Sequence, residues 1–118
     1  MKYISILGDR NLTLTSIQKM RQPGATRTYQ VSDDRFCAEF PDGHIFFDYD
    51  TDLSDWKDEL EKLPFQAAAV IMIVYRNAAN VRHVLTQPDF PKNVYVDNDF
   101  CVPLPLPEYI AAGMPMEE

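Results

Sequence analysis

Residues 66–75 read QAAAVIMIVY. A continuous apolar run with β-branched residues and an aromatic residue at its end is typical of a strand buried on both faces. It is too short to cross a membrane, which takes about 18 to 20 apolar residues. We therefore expect this strand to be the centre of the domain, with the other elements arranged around it.

The residues that follow predict a helix and a second strand. Asn77 is a good cap for a helix over 78–87, which Pro88 ends, and residues 93–97 have the composition of a strand. Strand, helix and strand together predict a βαβ unit over about 66–97, with a right-handed crossover and two parallel strands. The apolar helix positions that face inward are Val81, Val84 and Leu85.

Upstream, three short strands at about 26–49 predict an antiparallel meander, with turn sequences at Asp33-Asp34 and at 41–43. Two-residue turns pair Arg35 with Asp48 and Glu39 with His44, which are favourable cross-strand pairs. The same turns place Val31 opposite Phe36, Tyr29 opposite Ala38, Ala38 opposite Ile45 and Phe36 opposite Phe47. A three-residue loop with Gly43 in a bulge is the alternative, and it would slip the second hairpin by one residue.

The remaining segments complete a single α+β domain over 1–113 with a mixed sheet. Residues 2–7 predict a strand. Residues 12–15 fit a hairpin strand, whereas 14–22 fit a short helix with Thr15 and Gln18 as a capping box, and we favour the helix. A helix over 53–63 is predicted from the cap Asp52 and an apolar stripe. A short helix from Pro107 ends the domain, and 114–118 are expected to form a flexible tail.

Composition restricts the function classes. The net charge is −7, and residues 36–118 alone hold 15 acids against five bases, a balance of −10. Such a field repels nucleic acid and favours encounters with basic proteins. The two cysteines lack CxxC spacing, so we expect reduced thiols. We also expect a cytoplasmic protein with no membrane partner, because no targeting signal or spanning run is evident.

Residues 48–61, DYDTDLSDWKDELE, hold seven of the 18 acids. Asp48, Asp50, Asp52 and Glu59 match four acidic positions of a calcium-binding EF-hand loop. Leu53 stands where the sharp turn of that loop calls for glycine. A metal site built on these four carboxylates is therefore one alternative for the function.

The same region, residues 45–53 (IFFDYDTDL), resembles the nucleophile motif of haloacid-dehalogenase-type phosphatases, a hydrophobic strand followed by DxDx(T/V)L. The resemblance implies Asp48 as nucleophile, Asp50 as general acid and a magnesium ion that supplies charge. Asp52 departs from the Thr or Val of that motif. A small metal-dependent hydrolase is thus the enzymatic form of this alternative.

The preferred hypothesis is a binding function without a cofactor or a catalytic site. Phe46 is the one aromatic residue predicted on the polar face of the meander, and an aromatic anchor with a charged rim is common in interface hot spots. The helix over 53–63 presents four acids that would steer a basic partner: Asp55, Asp58, Glu59 and Glu61. We expect a protein-binding domain, an inhibitor or immunity-type protein, with a homo-oligomer also possible.

Overall fold

The computed structural model describes residues 2–50, 52–61, 63–64, 69–98 and 102–118, with the side chains of residues 55 and 59 outside the description. It is a single α+β domain built on a seven-stranded sheet of order β2-β3-β4-β5-β1-β6-β7. The strands are β1 Lys2–Gly8, β2 Arg27–Ser32, β3 Arg35–Phe40, β4 Gly43–Tyr49, β5 Ala69–Tyr75, β6 Tyr95–Asp97 and β7 Leu104–Pro105. The helices are α1 Leu14–Lys19, α2 Lys57–Glu61, α3 Ala78–Thr86 and α4 Leu106–Ala111, with a 3-10 turn at Ser54–Trp56 before α2.

β5 is the central strand that the sequence predicts. Its described residues are buried on both faces, and only Met72 is partly exposed. It pairs with β4 on one side and with β1 on the other. Residues 66–68, the predicted start of this strand, lie outside the described residues.

β1 lies between β5 and β6 and is antiparallel to both. β5 and β6 therefore run in the same direction, as the βαβ prediction requires, but they are not neighbours. Every described pair of neighbouring strands is antiparallel, so the expectation of a mixed sheet is wrong while the α+β class and the meander are confirmed. The local sequence pattern of residues 2–7 carries no information about where this strand inserts, which is why the prediction missed it.

One face of the sheet, the core face, packs against helices. The buried side chains of α1, α3 and α4 form one cluster with those of the strands, including Ile6, Phe47 and Ile71. α3 begins after Asn77, whose side chain accepts a hydrogen bond from the Ala79 amide, as predicted. Among the described residues, no helix is long and apolar enough to cross a lipid bilayer.

α1 confirms that residues 14–19 are helical rather than a hairpin strand. Its capping box consists of Thr13 and Ser16, and the predicted pair of Thr15 and Gln18 is wrong by two residues. The helix ends at Lys19 and not at residue 22. Apolar spacing identified the element correctly, because Leu14 and Ile17 are both buried, but several Ser and Thr residues competed for the cap.

The β3–β4 hairpin has the predicted register. Arg35 pairs with Asp48, Phe36 with Phe47, and Glu39 with His44, so the slipped alternative is wrong. Gly43 closes the hairpin at φ +148°, a conformation that favours glycine. The burial pattern of the two strands has decided the register in spite of the proline in the turn.

The β2–β3 hairpin differs from the prediction. Its turn is the expected one, because Ser32 pairs with Arg35, but the register shifts between Gln30 and Ser32. Val31 is thereby left as a bulge, and Gln30 rather than Val31 lies opposite Phe36. A bulge of one residue turns the rest of the strand over, since side chains alternate between faces. Tyr29 consequently lies opposite Cys37, on the face away from the core.

Residues 114–118 lie against the body of the domain. Met116 is only 8% exposed, and the Tyr75 hydroxyl donates a hydrogen bond to the carbonyl of Glu117 at 2.7 Å. Tyr109 Oη and Asn98 Nδ2 both donate to the carbonyl of Pro115, at 2.6 and 3.0 Å. Flexibility of this tail stays a prediction. It can be tested by removing the residues that make these contacts and measuring the stability of the domain.

Candidate functional site

The sheet face opposite α1, α3 and α4 carries polar and aromatic side chains where β2, β3 and β4 lie side by side. The strand registers place alternate residues on this face because side chains alternate along each strand. We call it the open face, and over these three strands it consists of Arg27, Tyr29, Ser32, Arg35, Cys37, Glu39, His44, Phe46 and Asp48. All of them except Cys37 retain some solvent exposure.

Arg35 and Asp48 form a two-pronged ion pair across the β3–β4 hairpin. The guanidinium donates from Nε to Oδ1 at 2.6 Å and from Nη2 to Oδ2 at 2.7 Å. Hydrogen bonding to Asp48 raises the pKa of Arg35. Both oxygens of Asp48 therefore have a cationic partner within the chain, which confirms the predicted cross-strand pair and reduces the capacity of this carboxylate to bind a metal or attack a substrate.

Phe46 is enclosed between two planar groups. The Arg35 guanidinium carbon lies 4.6 Å from the centre of its ring, and the His44 ring is stacked on it at 5.8 Å with 4° between the planes. The register places His44 and the Arg35–Asp48 pair toward opposite ends of the strand from Phe46. Phe46 is half-buried as a result, so it is part of a stacked group rather than a lone exposed anchor.

Glu39 connects the stacked group to β2. It accepts a hydrogen bond from Nε of Arg27 and lies 3.1 Å, Oε1 to Nε2, from His44. The Arg27 hydrogen bond is the main cause that lowers the pKa of Glu39, and His44 adds to it. Arg27 in turn lies over the ring of Tyr29 at 4.6 Å. Charges and rings thus alternate across the open face and hold one another in place.

The Glu39 contacts predict a pH dependence. A lowered carboxyl pKa adds stability above the ordinary value of about 4.3, and that stability is lost as the pH falls through the lowered pKa. We expect Glu39→Gln to lower the melting temperature slightly at pH 7, and we expect its difference from the native chain to shrink as the pH falls through the lowered pKa. Arg27→Gln should behave the same way, and the double variant should lose no more than either. A difference in melting temperature that does not shrink as the pH is lowered below about 4.3 contradicts the role of the ionised pair.

Cys37 lies at the centre of the open face and is fully buried. Its thiol is free, and burial raises its pKa. A protonated, inaccessible thiol is a poor nucleophile. Cys37 therefore packs as a small apolar residue between Tyr29 and Phe46, its partners on the neighbouring strands. Cys101, the other cysteine, lies outside the described residues.

The predicted carboxylate cluster is divided among separate partners. Asp50 accepts from the Asp52 amide and from Nε1 of Trp56, each at 3.0 Å. Asp52 accepts from the Ser54 amide at 3.0 Å, which lowers its pKa. The predicted helix cap at Asp52 is nevertheless wrong, because the helical segment begins one residue later than predicted and its N-cap is Leu53, which makes no side-chain cap bond. In the described part of the chain, no three His, Cys, Asp or Glu residues lie close enough to hold a metal ion. The fourth predicted ligand, Glu59, has its side chain outside that part.

Only two of the four acids predicted for the acidic helix face have side chains among the described residues. Asp58 and Glu61 of α2 are exposed, as predicted, whereas the side chains of Asp55 and Glu59 lie outside the described residues. The residues of the predicted apolar stripe in this segment are half-buried: Leu53, Trp56, Leu60 and Leu63. Because Trp56 donates to Asp50, the start of α2 is tied to the end of β4.

A cleft of about 540 Å³ opens where β4 ends, beside the turn between β2 and β3. Its apolar lining comes from Val31, Tyr49 and Met72, and its charged lining from Asp34, Arg35, Asp48 and Asp50. The sequence does not point to three of the cleft residues: Val31, which the bulge of β2 exposes, Asp34, which lies in the turn after β2, and Met72, which belongs to the neighbouring strand β5. The one signal in the sequence for an acidic cleft at this turn is the pair of adjacent acids, Asp33 and Asp34, which is equally typical of a turn without a binding role.

The chain matches no protein-family model, and no curated protein or solved structure shows significant similarity to it.

Proposed function

We propose that this chain is a non-catalytic protein-binding domain that neutralises a basic partner, in the manner of an inhibitor or immunity-type protein. The observation that carries the proposal is the open face of β2–β4, which lies opposite α1, α3 and α4 and leads into a cleft with three carboxylates. Aromatic and guanidinium groups with a charged rim are the usual constituents of a protein interface.

The open face is held rigid before any partner binds. The guanidinium of Arg35 is fixed by both oxygens of Asp48, and Phe46 is stacked between Arg35 and His44. Side chains that are already ordered lose less conformational entropy when a complex forms. A preformed surface of this kind favours binding over a catalytic role, since its polar groups are engaged with one another rather than directed at a substrate.

Charge supports a basic partner in particular. Asp58 and Glu61 are exposed on α2, and the hydrogen bond from Trp56 to Asp50 places the start of this helix beside the cleft. The chain as a whole has a net charge of −7. A field of one sign near the binding surface speeds association with a partner of opposite sign and makes the association rate depend on salt.

The test begins with affinity capture from the source cells, followed by purification of the captured protein and measurement of binding and of that protein's own activity. We expect a basic protein that loses activity on binding. The variant Asp58→Asn/Glu61→Gln should bind about 3- to 10-fold more weakly at low salt, chiefly through a slower association rate.

The matched control is Asp89→Asn/Glu108→Gln, which removes two exposed acids beside α3 and within α4, the helices of the core face. It should bind within about twofold of the native chain at physiological salt, where charges more than about 8 Å from the interface are screened, and it should lose less than the α2 variant at low salt. An equal loss in both variants, or binding that salt leaves unchanged, would contradict the proposal.

A further inference from the structure

We infer that the cleft receives a long, positively charged side chain, that of an arginine or a lysine, from the partner protein. This inference rests on the proposed function and specifies its contact. The cleft has the two kinds of surface that such a side chain needs, namely uncompensated carboxylates and an apolar wall. Arginine and lysine pair a charged end with an apolar stem that packs on surfaces of this kind.

The charge of the cleft remains negative after its internal ion pair is counted. Arg35 is bound by both oxygens of Asp48, so this pair is nearly neutral. In the part of the chain that the structure describes, the side-chain oxygens of Asp34 and Asp50 accept hydrogen bonds from neutral donors: the Ser32 hydroxyl at 2.8 Å for Asp34, and the Asp52 amide and Trp56 ring for Asp50. Neutral donors leave the charge of a carboxylate uncompensated, and each carboxylate oxygen can accept more than one hydrogen bond.

The apolar wall of the cleft favours the binding of a cationic side chain over the binding of a metal ion. Met72 is the one partly exposed residue of β5, and Tyr49 beside it is half-buried. Val31 completes the wall, because the bulge in β2 leaves this side chain 49% exposed. A small inorganic cation gains nothing from methyl and ring surfaces, whereas a chain of methylene groups does.

The volume also favours a segment of a partner over a single ion. About 540 Å³ falls within the range of clefts that hold drug-sized ligands. A side chain together with its flanking backbone is of that size. Asp34 lies at the exposed rim in the turn between β2 and β3, where it can meet a chain that crosses the cleft.

The experiment is an NMR titration of the full chain with short capped peptides, acetyl-Gly-Arg-Gly-amide and acetyl-Gly-Lys-Gly-amide. The neutral analogue with citrulline in place of arginine is the matched control, and free guanidinium ion tests the role of the stem. We expect both cationic peptides to shift the Met72 methyl signal and the amide signals of Ser32 and Tyr49 at millimolar concentration. Citrulline peptide and guanidinium should produce much smaller shifts.

Two variants locate the binding. Asp34→Asn should lower the affinity for the cationic peptides about two- to fivefold. Asp89→Asn, outside the cleft, should leave this affinity unchanged. Equal shifts with the citrulline peptide, equal affinity in both variants, or shifts centred on α2 would each overturn the inference. In that case, a capture that still depends on Asp58 and Glu61 would leave the proposed function standing, with the contact elsewhere. If capture also does not depend on Asp58 and Glu61, both the inference and the proposed function are contradicted.

Discussion

Deletion of residues 115–118 is expected to destabilise the domain by about 3 to 5 kcal/mol. Met116 is 8% exposed and belongs to the main apolar cluster, and removing a buried methionine side chain alone costs about 2 kcal/mol or more. The deletion also removes the carbonyl of Glu117, the acceptor of the Tyr75 hydroxyl, and the carbonyl of Pro115, which Tyr109 and Asn98 share. Urea unfolding followed by circular dichroism measures the loss.

Two single substitutions separate the contributions of the tail. Met116→Ala removes the buried side chain and keeps the backbone carbonyls, so it should account for about half of the loss or more. Glu117→Ala removes an exposed side chain and keeps the carbonyl that Tyr75 contacts, so it should change stability by less than about 0.5 kcal/mol. If the deletion itself changes stability by less than about 0.5 kcal/mol, the flexible tail predicted from sequence is correct and the packing of Met116 contributes nothing.

The sequence predicts those elements whose partners are close in the chain. The β3–β4 hairpin is set by Phe36 and Phe47, which must both face the core, and a slip of one residue would expose one of them. α3 is defined by Asn77 before it and by its buried stripe. In both cases the local pattern contains the information that decides the structure.

Two features depend on contacts that the local pattern does not encode. β1 could pair with several strands, and its place between β5 and β6 is set by the packing of Ile4 and Ile6 in the core. The bulge at Val31 reverses the faces of β2, although an unbulged strand with Tyr29 and Val31 toward the core fits the sequence equally well. Such choices are settled by the whole sheet and not by one segment.

The candidate site, like the fold, is predictable from the sequence only where its residues belong to one local pattern. The hairpin pattern predicts Arg35 and Asp48 as a pair, and the structure brings them together. The cleft also needs Met72 from β5, which lies outside residues 26–49, and Val31, whose place depends on a bulge that the alternating pattern of β2 does not indicate. The acidic stretch that attracts attention in the sequence is divided between the sheet at Asp48, a turn at Asp52 and the helix surface at Asp58.

Substitution of two adjacent phenylalanines, Phe46 and Phe47, is expected to lower the stability of the domain by very different amounts. Phe47→Ala is expected to cost about 3 to 5 kcal/mol, because this ring is fully buried on the core face and packs near Phe36, with 6.1 Å between ring centres. Phe46→Ala is the matched control on the open face, where the ring is half-buried between Arg35 and His44, and it should cost about 1 to 2 kcal/mol. Chemical denaturation of both variants gives the comparison.

The pair of variants tests the fold and the proposed function together. A register slipped by one residue would bury Phe46 in place of Phe47, so the order of the two losses would be reversed. If the order is as expected, Phe46→Ala remains folded at 25 °C, and its binding to the captured partner can be measured directly. Loss of the ring also removes the surface that orders Arg35 and His44, so we expect binding to weaken about tenfold or more. Unchanged binding in a folded Phe46→Ala variant would place the interface away from the open face.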